Sequence, residues 1–280
     1  MFRMQQSWRL LGATLRLWSG TPWLWVYGVL WVGVLWAVWW PFSGPVIEWI
    51  LATADQPDAT ALNGGMGQTL LLCLALNLLH TLFSFSVVGV ATARLDGHRP
   101  TGWDAWEAVI RHLGAIFWLS ILHSVVGMVL EALRERFGWL GDLLTHAAGM
   151  LWGLATSLTI PAVVMRQDAS WQEGLSESVS LFKRTWGENL VASVTTTLAI
   201  SALTFVLMMA WLIYGVTHSP QLGMPTLING VVLILLGSWV FGDIFQASFN
   251  TVLYRYARMG EVPDAFAAID LPGQFVPKAA

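Results

Sequence analysis

The sequence predicts an all-α, polytopic membrane protein with six transmembrane helices and amphipathic helices on one membrane surface. Three observations lead there. Of the 280 residues, 56% are hydrophobic and 11% charged, with a mean hydropathy of +0.61, whereas soluble domains carry about 25% charged residues. Six apolar runs approach or exceed the roughly 20 residues that take a helix across a hydrocarbon core about 30 Å thick. The runs are continuous, not alternating in segments of about ten residues, which argues against a transmembrane β-barrel.

An amphipathic helix comes first. Met4, Trp8, Leu11, Leu15 and Trp18 recur at helical spacing, with Gln5, Arg9 and Arg16 on another face. The first span follows over about 22–40. Its Trp23 and Trp25 stand near one end and Trp39 and Trp40 near the other, about 24 Å apart at 1.5 Å per residue, which reads as a pair of interfacial aromatic belts. The run is long, is preceded by other sequence and has no small-x-small cleavage site after it, so it is expected to be retained and not removed as a secretory signal. Gly64-Gly65-Met66-Gly67 leads to the second span, 68–93; no Lys-Ser/Thr follows these glycines, so they read as a connector and not a phosphate loop. Cys73, the single cysteine, is expected to be a small apolar residue of that span.

A second amphipathic helix sets Trp103, Trp106, Ile110 and Leu113 against Asp104, Glu107 and Arg111, with Thr101 as its N-cap. The third span, 113–130, and the fourth, 143–165, come next. A third amphipathic helix opens on a capping box of Ser170 and Glu173 and sets Trp171, Leu175, Val179, Phe182 and Trp186 against Glu173, Glu177, Ser180, Arg184 and Glu188. The fifth span is expected at 190–216 and the sixth at 227–254. Residues 1–260 form a single transmembrane domain, and 261–280 form a C-terminal tail too short for a second one. Surface helix plus two spans occurs three times, over 1–96, 97–165 and 166–260. Trp8, Trp103, Trp106, Trp171 and Trp186 are the expected anchors of the surface helices; such stripes lie at headgroup level or pack on neighbouring spans, and both remain open. Gly12 or Gly20, Gly114 and Gly187 are expected at the bends into the bilayer.

Twelve Lys and Arg fall on one side of these spans and two, Arg134 and Arg136, on the other, which places both termini in the cytoplasm. The stretches Ser7-Trp8-Arg9-Leu10-Leu11, Leu181 to Glu188 and Leu253-Tyr254-Arg255-Tyr256-Ala257, with Gly260, Glu261, Val262 and Pro263, resemble those of a prokaryotic six-span integral membrane family of unknown function. More distantly, the layout is similar to the membrane domain attached to some glycerophosphodiester phosphodiesterases. The resemblance implies a multi-pass protein of the cytoplasmic (inner) membrane and no phosphodiesterase activity, since neither the soluble barrel nor its acidic metal ligands are present.

Ionisable groups inside spans are costly and therefore candidate functional residues. Asp243, Gln246 and Asn250 recur at i, i+3 and i+7 on one face of the sixth span. They are candidates for a polar path with Asp243 binding a cation or proton, or for interhelical hydrogen bonds with the carboxyl protonated or paired to Arg255. His80, one turn after Asn77, and His123 fall near mid-depth; facing each other they could hold a haem or other cofactor, but imidazoles bonded to a carbonyl are commoner, and no cofactor is expected. His146 could join His123 and Asp142 around a metal, although the spacing is not diagnostic. Gly149, Gly153 and Ser157 form a small-residue stripe expected to pack a neighbouring helix closely. Pro161 and Gly242 are candidate helix breaks.

No GxSxG elbow, HExxH or paired-carboxylate signature appears, so an enzyme is not expected. The charge balance, 14 Lys and Arg against 17 Asp and Glu, gives a formal -3, with no basic excess for a nucleic-acid partner. The leading expectation is an accessory or organising subunit acting through lipids and a membrane-protein partner or a second copy. The alternative is a small-molecule or ion transporter or channel that uses the polar stripe of the sixth span.

Overall fold

The structure, a computed structural model, describes residues 12, 18, 20–53, 66–166 and 170–260. Trp8 and most of the first amphipathic stripe, Gly64 and Gly65, the tail 261–280 and the side chains of Cys73 and Trp186 lie outside the described residues. All regular structure among the described residues is helical: α1 (Pro22–Thr53), α2 (Met66–Leu95), α3 (Gly102–Arg111), α4 (Leu113–Thr156), α5 (Thr159–Arg166) and α6 (Trp171–Met259). Six stretches are long and apolar enough to cross a membrane: Pro22–Pro41, Leu74–Leu95, Leu113–Arg134, Trp139–Arg166, Leu198–Gly215 and Gly223–Met259. The chain is a multi-pass membrane protein with the expected six spans.

Two of the helices fold back on themselves. In α4 the Thr145 hydroxyl donates to the Leu130 carbonyl at 3.1 Å, although fifteen residues of straight helix would separate them by about 22 Å. The reversal is tight enough that a Cβ on Gly141 would sit 2.7 Å from the Arg134 carbonyl oxygen. In α6 the Trp211 indole donates to the Leu227 carbonyl at 3.0 Å, and Gly223 between them adopts φ 68°, a left-handed conformation that favours glycine. Spans three and four, and five and six, are thus helical hairpins.

Both described amphipathic segments start as their sequences dictate. The Asp104 carboxylate accepts from the Thr101 backbone N–H at 2.5 Å and from its hydroxyl at 2.8 Å. Ser170 Oγ accepts from the Glu173 N–H at 3.3 Å, and the Glu173 carboxylate accepts from the Ser170 N–H at the same distance. Each cap supplies partners for helix-end groups that the helix itself cannot satisfy. The bends fall elsewhere than expected. Helix α3 meets α4 at His112, whose φ and ψ of -119° and 23° leave the helical region, while Gly114 lies within α4. Helix α6 runs through Gly187 with Gly223 as its non-helical residue, so the third amphipathic segment enters its span without a break. Gly20 does sit in the turn ahead of α1.

The second span is the centre of the bundle. Buried residues make up 56% of its apolar window, against 6% for the fifth span. Phe83, Val87 and Val90 face a cluster with Trp18, Leu24, Ile244 and Phe245, while Phe85 and Val88 face another with Val109, Ile116, Leu119 and Val163. Trp18, whose stripe left a surface seat and a packed one both open, is 1% exposed; its indole donates to Ser248 Oγ at 3.3 Å and its ring packs on Trp25, Phe241 and Phe245. On α3 the two faces differ in burial. Ala105, Ala108 and Val109 are buried, and Trp103 and Trp106 are exposed and turned away from the chain, as anchors in surrounding lipid require. Trp171 is half-buried and stacks on Trp118, centroids 6.4 Å apart, so it packs at least in part on the third span.

The basic residues collect at the ends the charge pattern predicts. Arg166 pairs with Glu177 at 3.0 Å, Tyr254 donates to Glu177 at 3.0 Å, Arg258 donates to Tyr254 at 2.7 Å, and Arg255 reaches Asp96 at 2.5 Å. These contacts tie the arginine-bearing ends of α2, α5 and α6 together. Glu177, assigned by its spacing to a solvated face, points inward to make it. Arg134 pairs with Glu131 beside Asp142 at the opposite end.

Candidate functional site

The fourth span breaks inside the bundle, and the break opens onto a polar cavity. Pro161 has no N–H, and in an unbroken helix its ring would collide with the Ser157 carbonyl four residues back. The i→i−4 ladder is therefore interrupted at Ser157 and Leu158, although Ser157 keeps helical dihedrals (φ -57°, ψ -31°), and it resumes as α5 with Pro161 in the first turn, where a missing N–H costs nothing. Ser178 repairs the gap. Its hydroxyl accepts from the Leu158 N–H at 3.1 Å and donates to the Ala155 carbonyl at 2.6 Å, and Ser178 is fully buried. Irregular backbone at membrane depth survives where protein satisfies it and where it lines a cavity; both hold here. Gly242, the other candidate break, is helical.

The cavity has a volume of about 640 Å³ and is bounded by spans two to six. His80 and Asp243 meet in its wall, Nδ1 to Oδ2, at 2.9 Å. The contact has the distance of an ion pair without the alignment of a hydrogen bond. The His80 ring lies parallel to Trp239, centroids 5.8 Å apart and planes at 14°. Gln246 donates to Asn250 at 3.0 Å on the same face of α6, so the sequence-predicted stripe does line one wall. Arg255 is engaged with Asp96, and the partner of Asp243 is His80 instead. Counting 1.5 Å per residue, Asp243 lies about 18 Å along α6 from Arg255, and His80 about 21 Å along α2 from Arg94. The pair is at mid-depth, and the polar wall descends from it towards the arginine-bearing end.

The remaining sequence candidates divide. His123 lines the same cavity, but its Nδ1 contacts the Leu119 carbonyl at 2.9 Å and its ring packs edge-on against Trp152. With His80 turned to Asp243, the two imidazoles are not arranged as a facing ligand pair. His146 Nδ1 contacts its own helix at the Asp142 carbonyl, 2.6 Å away, and among the described residues no three His, Cys, Asp or Glu side chains cluster as metal ligands. Of the small-residue stripe, Gly149 approaches the third span and Gly153 and Ser157 border the cavity. A Cβ on Gly149 would touch only Leu130 at 3.7 Å, and one on Gly153 nothing within 4 Å, because Gly153 and Ser157 face the cavity. The close helix approaches are at Gly89 against α3, Gly174 against α5 and Gly28 against Ile244.

Residues 69–263 match the profile of a family of unknown function, DUF6159. The chain belongs to that family. No curated protein and no solved structure matches. The match brings neither an activity nor a link to glycerophosphodiester phosphodiesterases to this DUF6159 chain, but the matched stretch contains every cavity residue named above and the break in the fourth span. Sequence reasoning missed the His80–Asp243 pair, the stacking on Trp239 and the Ser178 bridge. A signal for the pair was present: His80 stands fourteen positions from Arg94 and Asp243 fifteen from Arg258, the arginines in the last turns of their helices, hence at similar depth.

Chemically, a carboxylate and an imidazole at mid-depth can hold a proton or a cation, and the surrounding hydroxyl and amide groups can orient a polar solute.

Proposed function

We propose that the chain is a non-enzymatic transport protein of a prokaryotic cytoplasmic membrane, both termini inside, that binds a small polar solute in this cavity and carries it across. The observation that carries this reading is the meeting of a broken helix with an intramembrane His–Asp pair in one cavity. Secondary transporters build midplane sites from discontinuous helices and ionisable side chains, and about 640 Å³ lies within the roughly 300–1,000 Å³ range of small-molecule sites. The arginine asymmetry supports the orientation.

Gly153→Phe tests it. Its ring has open space in which to enter the cavity, so we expect folding to change by no more than about 0.5 kcal/mol while solute uptake into proteoliposomes is lost. Uptake equal to that of the unsubstituted protein, across a panel of labelled polar solutes, would reject transport through this cavity. An accessory role is the second reading, supported by the little-buried fifth span and the exposed Trp103 and Trp106. Native mass spectra of protein from its own membrane would favour it by showing a stoichiometric partner.

A further inference from the structure

The cavity wall carries neutral hydroxyl, amide and imidazole groups, among them Thr81, Thr156, Thr159, His123, Gln246 and Asn250, and one carboxylate. The Thr81, Thr156 and Ser157 hydroxyls each donate to a carbonyl of their own helix, at 2.7, 2.9 and 2.8 Å. A hydroxyl so engaged turns its oxygen lone pairs outward. No Lys or Arg lines the cavity among the described residues, and Asp243 is its one carboxylate. The break in the fourth span brings the negative end of α4 and the positive end of α5 to the same place, so their partial charges largely cancel and the carboxylate sets the field. His80, squeezed between that carboxylate and the flat face of Trp239, occupies the position a cation would prefer, with an anion on one side and an aromatic quadrupole on the other. The Asp243 side chain remains 21% exposed and that of His80 39%, so both are reachable.

We propose that the solute of this cavity is an organic monocation, a protonated amine whose N–H groups displace His80 from Asp243 and whose apolar body lies against Trp239. The proposal rests on the reading of the cavity as a solute site. It makes His80 a resident competitor that fills the carboxylate's partner position when the cavity is empty of amine and swings away when an amine arrives.

Calorimetry on the full chain in lipid nanodiscs tests this, using ethanolamine, butylamine and phenylethylamine beside an alcohol and a carboxylate matched to phenylethylamine in shape, phenylethanol and phenylpropionate. At least one amine should bind, and phenylethylamine about tenfold or more tighter than its neutral and anionic analogues, a difference equivalent to one charge-assisted hydrogen bond. Asp243→Asn should abolish that preference, Asp243→Glu should retain it, and His80→Ala should strengthen amine binding several-fold by removing the competitor. Trp239→Leu should weaken the amine several-fold and leave the alcohol unaffected, which keeps the test decisive if Asp243→Asn fails to fold. Alcohol or carboxylate binding as tight as amine binding, or an Asp243→Asn protein that keeps the preference, would overturn the cation assignment and leave the cavity a solute site. Binding of none of these compounds would overturn both.

Discussion

Gly89→Ala destabilises the protein by about 2–3 kcal/mol, the upper range for forcing extra atoms into a packed interface. The new Cβ would lie 2.6 Å from Ala108 Cβ and 2.7 Å from the Asp104 carbonyl oxygen, and neither neighbour can yield without moving the backbone of α3. That backbone is pinned on both sides, by the Thr101–Asp104 cap and by the burial of Ala105, Ala108 and Val109. The measurement is the unfolding midpoint in detergent, read beside hydrogen exchange of the α3 amides, which should quicken. Gly153→Ala is the control: with nothing within 4 Å of its Cβ it should not destabilise, and should gain up to about 1 kcal/mol as the better helix former. A Gly89→Ala protein as stable as the control would show that α3 is not held by this contact.

The second large effect is at Ser178. Replacing it by Ala removes the partner of the Leu158 N–H and of the Ala155 carbonyl together, in a fully buried position where water does not substitute. Each orphaned buried group costs about 1–3 kcal/mol, so Ser178→Ala should lower stability by roughly 2–4 kcal/mol in total and loosen the break that borders the cavity. Ser180→Ala, two residues on and exposed, should be silent in the same assay. If the two variants melt together, the break is satisfied by another route.

What sequence reasoning left undecided or missed has a common form. The stripe that holds Trp18 left a surface seat and a packed one undecided, and Phe241 and Phe245 of a distant span settle it by leaving a slot for the ring. Gly153 and Ser157 have the spacing of a packing face, and they border the cavity. Glu177 has the spacing of a solvated face, and three partners from α5 and α6 turn it inward. In each case the local pattern was read correctly, and the neighbour that gave it meaning lay far along the chain.

What the sequence determined by itself follows from short-range physics. Continuous apolar runs set the six spans, since a helix is the spanning structure that satisfies its own backbone. Thr101 with Asp104, and Ser170 with Glu173, set where amphipathic helices begin, since a cap acts within one turn. Pro161 set the region of the break, since a proline ring clashes four residues back. Only the tertiary structure decided that His80 rather than Arg255 meets Asp243, that Ser178 closes the broken helix, and that five spans leave a cavity between them. Those outcomes depend on which helices touch and at what register, and that is set by close approaches such as Gly89 on α3 and Gly174 on α5. Such contacts join residues eleven or more positions apart on different helices, which no helical or hydropathy period relates.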